Sequence, residues 1–111
     1  MGAKVWGALS LPGNEPVPQE ISRRQFFQVL ANRGMITREE ALDAVTLGAL
    51  PAAIEGLLSS IADDEVQWSA RMSFSAQLFK RANWCVEFFG AMQNMTSGDI
   101  DTLWRDGVKL D

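Results

Sequence analysis

Few residues in this chain have the chemistry of a catalyst. It holds 111 residues with no histidine and no tyrosine, so the usual proton shuttles and most nucleophile partners are missing. The single thiol, Cys85, lies between Trp84 and Val86 in an apolar stretch, where cysteine behaves as a small core residue rather than a reactive group. The triplet Asp63-Asp64-Glu65 resembles half a metal site. A metal needs ligands converging from more than one place, and no spaced acidic, histidine or cysteine partners follow. The same carboxylates opening a helix would instead meet its free N–H groups and the positive end of its dipole. With no glycine-rich phosphate loop either, the expectation is a protein that is not an enzyme, with no metal and no cofactor.

The elements that would position these groups are announced by repeated caps. Ser22 with Gln25, Thr37 with Glu40, and Thr96 with Asp99 each place a hydroxyl three residues before a side chain able to close a capping box. The first helix is predicted over about Arg23–Arg33, with Phe26, Phe27 and Leu30 inward and Gly34 as its left-handed stop. The second is predicted over about Arg38–Leu47, ending at Gly48. Pro51 suits the first turn of a third helix carrying Ile54, Leu57, Leu58 and Ile61, within which Gly56 suggests a close approach to a neighbour. A fourth opens at Asp63-Asp64-Glu65 with a buried stripe of Trp68, Met72, Ala76 and Phe79, beside Ala70, Phe74 and Leu78. Asn83 marks a break before an apolar core helix holding Trp84, Cys85, Val86, Phe88, Phe89 and Met92; its aromatics could alternatively form a binding surface. The last helix aligns Ile100, Leu103, Trp104 and Val108. No segment alternates with strand period over a useful length. The expected fold class is all-α: a compact bundle of five or six short helices in one domain, residues 21–111, behind an extended N-terminal arm, residues 1–20.

That arm is punctuated by Pro12, Gly13, Pro16 and Pro18, yet it is apolar. Val5, Trp6, Leu9 and Leu11 must be buried, either on their own domain or on another chain, and they are the candidate partner-binding residues. The segment lacks the pattern of a signal peptide, Trp6 stands where a myristoylation motif wants Ser or Thr, and no apolar run is long enough for a membrane span. The formal net charge is -4, with Lys4, Arg23, Arg24, Arg33 and Arg38 early and most acids late. This polarity could orient head-to-tail contacts or could be an ordinary solvated surface. The first two helices outline a helix-turn-helix, but Glu39, Glu40 and Asp43 on the second oppose phosphate, so no nucleic-acid partner is expected.

The run ISRRQFFQVLANRGMITREEALDAVTLGALPAAIEGLLSSIADDE, with ARMSFSAQLFKR and DIDTLWRDGVKL after it, resembles a group of small helical proteins encoded among the tail and tail-fibre genes of bacteriophages and prophages. The resemblance spans residues 17 to 110 and rests on packing and capping features, so it transfers no functional residues. The chain departs from the group's pattern near Arg81 to Cys85, where a proline-containing break is expected. The resemblance implies a virion component of the tail region, docking onto other phage structural proteins and onto further copies of itself. A tail or tail-fibre assembly chaperone, acting in the host cytoplasm and absent from the mature particle, is the alternative. No membrane partner is implied.

Overall fold

The computed structural model describes residues 15–111. Val5, Trp6, Leu9 and Leu11 therefore lie outside the described residues. From Glu15 onward the order is β1 (Glu20–Ser22), α1 (Arg23–Asn32), α2 (Arg38–Thr46), α3 (Ala52–Ser59), α4 (Asp64–Phe74), β2 (Leu78–Lys80), α5 (Trp84–Met92) and α6 (Ser97–Val108). The fold is thus mostly helical, with six helices among the described residues and a two-stranded antiparallel sheet pairing Ile21 with Phe79.

All three capping boxes form. Ser22 Oγ accepts from the Gln25 N–H at 3.0 Å and Gln25 Oε1 from the Ser22 N–H at 2.8 Å. Thr37 with Glu40, and Thr96 with Asp99, repeat the exchange. The Glu40 carboxylate does more: its second oxygen accepts from the Ala52 N–H at 3.0 Å. Pro51 precedes α3 without a side chain able to cap it, so a carboxylate borrowed from α2 satisfies a donor at that helix start. Helix ends close as expected at Gly34 and Gly48, both with positive φ, and the Met35 N–H reaches back to the Leu30 carbonyl at 3.0 Å. Asn94, with φ 61°, plays the same part after α5, where the Met95 N–H bonds to the Gly90 carbonyl at 2.8 Å.

One cluster of apolar side chains fills the interior. Its centre is aromatic: the Phe26 ring stacks on Phe79 at 4.3 Å, and Phe27, Phe74, Phe89 and Trp104 pack around this pair. Arg23 is buried with them. Its guanidinium donates from Nε and Nη2 to the Ala44 carbonyl and from Nη1 to the Ser75 carbonyl at 2.9 Å, while lying over the Phe27 ring. Those carbonyls lie at the C-terminal ends of α2 and α4, where the helix dipoles favour a cation. One side chain thereby ties three helices together.

Three expectations are corrected. The fourth helix stops at Phe74 rather than running through Phe79; Leu78–Lys80 is a strand, three residues being too few to show a period. The predicted stripe on α4 is not buried, as described below. Gly56 approaches nothing, since a Cβ placed there would meet no atom within 4 Å. The close approach occurs instead at Gly90, whose added Cβ would sit 2.3 Å from Ile100 Cδ1.

Candidate docking surface

Helix α4 packs on the core through Ala70 and Phe74, one turn apart. Trp68 and Met72 are also one turn apart, but two residues out of phase, which is about 200° around the axis. They face outward, Trp68 62% and Met72 55% exposed. Alongside them β2 alternates: Phe79 enters the core while Leu78 stays 50% exposed. At the start of α5, Cys85 and Val86 turn inward and Trp84 is left 46% exposed, its ring 6.0 Å from that of Phe88. Asn83 holds this corner, accepting from the Cys85 N–H at 2.8 Å and donating to Ser73 Oγ at 3.4 Å.

The result is an open apolar groove of about 520 Å³ running between α4, β2 and the head of α5. Phe74, Phe79, Cys85 and Val86 form its floor, and Trp68, Met72 and Leu78 stand on its rim. Adjoining the groove at Ser69, a smaller hollow lined by Val66 and Trp84 extends the apolar surface to Glu65. The volume matches small-ligand pockets, but such pockets set a few convergent polar groups in an enclosed wall. Here Ser73 and Asn83 already hold each other, and the groove is open along its length.

The backbone of β2 adds a second kind of valence. Arg23 N–H donates to the Gln77 carbonyl and Arg81 N–H to the Gln19 carbonyl, both at 2.8 Å, which places the mutual bonds of the ladder at Ile21 and Phe79. The groups of Leu78 and Lys80 consequently point away from β1. The Lys80 carbonyl is taken by the Asn83 N–H. The Leu78 N–H and C=O and the Lys80 N–H have no hydrogen-bond partner among the described residues. An edge strand with unpaired groups beside exposed tryptophan is a template for another chain.

The residues with chemical potential are engaged elsewhere. Asp63 Oδ1 accepts from the Glu65 and Val66 N–H groups at 2.9 and 3.0 Å, as an N-cap. Among the described residues no group of three His, Cys, Asp or Glu side chains converges as metal ligands. Burial pushes the Cys85 thiol above its ordinary range, a hydrogen bond with Ser73 only partly offsetting it. Of the early arginines, Arg23 is inside, Arg24 reaches the Leu110 carbonyl and Arg33 pairs with Asp106 at 2.8 Å. Arg81 is a further hub, bonded to Glu87, Asp101 and the Ser97 carbonyl; burial would lower its pKa, but these partners outweigh it and raise it. Among the described residues no helix is long and apolar enough to cross a membrane.

A smaller apolar strip, Leu42 and Val45 on α2, lies in a hollow rimmed by Arg24, Gln28 and Arg38. From sequence the arm residues are the candidate partner site and the aromatics of α5, Trp84 among them, an alternative binding surface; the rest of the groove and the strip on α2 are not singled out. Helical spacing did group Trp68 with Met72, and the missing signal was which face α4 turns inward. Compared with known protein families, curated proteins and solved structures, the chain matches none.

Proposed function

We propose that this chain is a non-enzymatic protein-docking module whose working surface is the groove between α4, β2 and α5. The observation that carries this reading is the exposure of Trp68, Met72, Leu78 and Trp84 around an open strand edge. Tryptophan and methionine are enriched in interfaces, and one tryptophan anchor buried in a partner contributes about 2 kcal/mol or more. Scattered apolar residues on a surface need no explanation, whereas a contiguous set rimmed by polar groups does.

The resemblance to small proteins of phage tail loci supplies the setting. In that setting the module is a tail-associated adaptor that joins tail, baseplate or fibre proteins, with Val5, Trp6, Leu9 and Leu11 as a second contact. The chaperone alternative uses the same surfaces and differs only in leaving before the particle is finished. Affinity capture from phage-producing cells tests the reading, comparing the native chain with a Trp68→Glu/Met72→Lys variant of unchanged circular dichroism. Loss of the co-purifying tail proteins supports docking through the groove; undiminished capture overturns it. Mass spectrometry of purified particles then separates adaptor from chaperone.

A further inference from the structure

An apolar arm and an apolar groove with an open strand edge belong to the same chain. We infer that residues 5–11 of a second copy of this chain occupy the groove, adding an extended strand to the free edge of β2. This rests on the docking reading and names its occupant.

The sequence of the arm suits that edge. In an extended backbone Val5, Leu9 and Leu11 fall on one face with Gly7, while Trp6 falls on the other with Ala8 and Ser10. No proline interrupts residues 1–11, so every N–H is available to a ladder, and Pro12 ends the segment. The Leu78 N–H and C=O and the Lys80 N–H would take main-chain bonds, and one arm face would cover Met72, Leu78 and the groove floor, as in strand-addition modes of peptide recognition. Charge agrees: residues 1–14 carry Lys4 and no acid, and the apolar surface runs out at Glu65, preceded by Asp63 and Asp64.

The path of the chain assigns the arm to a neighbour. Arg105 Nε donates to the Glu15 carbonyl at 2.9 Å and Lys109 Nζ lies 3.2 Å from its carboxylate. Gln19, by contrast, bonds to Arg81, whose guanidinium reaches Asp101 on α6. From Asp101 to Lys109 is about 12 Å along a helix at 1.5 Å per residue. Followed backward from Gln19, the chain passes Pro18 and Val17 beside Lys80, Arg81 and Ala82 and reaches Arg105 and Lys109 on α6 at Glu15, on the β1 side of the sheet rather than at the open edge. Each copy offers one arm and one edge, a heterologous contact that propagates head to tail or closes a ring.

Cysteine pairing in the full chain tests this. One population carries Leu9→Cys, another Met72→Cys, both exposed to mild oxidant alone and after mixing at micromolar concentration. The expected result is a covalent dimer in the mixture at least tenfold above either population alone, abolished when the Met72→Cys chain also carries Trp68→Glu. An internal link at monomer mass in the Leu9→Cys/Met72→Cys double variant, without dimer, overturns the inference and places the arm on its own groove. No link in either format also overturns it. In both failures the capture experiment with the groove variant decides separately whether docking to other proteins stands.

Discussion

Two glycines in helices invite the same substitution and should answer with opposite signs. At Gly90 in α5 an added Cβ would lie 2.3 Å from Ile100 Cδ1 and 2.8 Å from Ile100 Cγ1, against about 3.5–4.0 Å for an ordinary carbon contact. Ile100 is itself buried on α6 and, being β-branched in a helix, is held at χ1, so Cγ1 at 2.8 Å cannot swing clear even where rotation about χ2 moves Cδ1. Overpacking of this kind costs about 1–3 kcal/mol, and replacing glycine by alanine in a helix returns up to about 1 kcal/mol. Gly90→Ala should therefore destabilise by about 1–2 kcal/mol, lowering Tm by roughly 5–15 °C at about 4–8 °C per kcal/mol. Gly56→Ala, with nothing within 4 Å, keeps only the helix gain and should stabilise by about 0.5–1 kcal/mol. Urea unfolding of both variants, with Ile100→Val and the Gly90→Ala/Ile100→Val pair, completes a double-mutant cycle. Ile100→Val alone should cost about 0.5–1.5 kcal/mol. Because it deletes the Cδ1 nearest the new methyl, the pair should be less destabilised than the sum by about 1 kcal/mol. Equal effects at the two glycines, or strict additivity in the cycle, would refute the packing of α5 on α6.

Other outcomes follow from the same contacts. Arg23→Met should cost about 1.5–3 kcal/mol by chemical unfolding, because the Ala44 and Ser75 carbonyls lose a charged donor, and Arg23→Lys should restore only part of it, lacking the fork. Cys85 should resist alkylation at neutral pH in the folded chain and react on unfolding, since burial raises its pKa; rapid labelling of the native protein would contradict its placement. The Glu40 carboxyl is held below its ordinary range by the Thr37 and Ala52 N–H groups, and that of Asp99 by Thr96. A depressed folded pKa gives stability that is complete above the unfolded value, about 4, and lost as pH falls through the folded one. Urea midpoints should fall as the pH drops below about 4, and Glu40→Gln should flatten that slope.

Much of the local structure was legible because caps are written in residue types at fixed spacing. Ser22, Thr37, Asp63, Asn83 and Thr96 open helices where their side chains predict, and Gly34 and Gly48 close them. Asn83 caps α5 without the proline expected at that break. What remained illegible is set by tertiary partners. Phe79 joins the core on a three-residue strand, and its partner Ile21 lies almost sixty positions earlier. Trp68 and Met72 share a helical face with each other, but periodicity does not say which face meets the core, and the smaller Ala70 and the ring of Phe74 fit there instead. Trp84 and Met92 stay outside for the same reason while Cys85, Val86 and Phe89 go in. The arm proposed as a partner site from sequence lies outside the described residues, and of the groove's surroundings only Trp84 was legible, through the aromatic density of its helix.

Covalent footprinting of tryptophan tests most directly whether the groove is a docking surface. In the dilute chain Trp68 and Trp84 should oxidise readily and Trp104, fully buried, should not. In the assembled state, whether a self-complex or a tail particle, labelling of Trp68 and Trp84 should fall at least fivefold with Trp104 unchanged. Equal labelling of Trp68 in the free and assembled states would contradict the docking role.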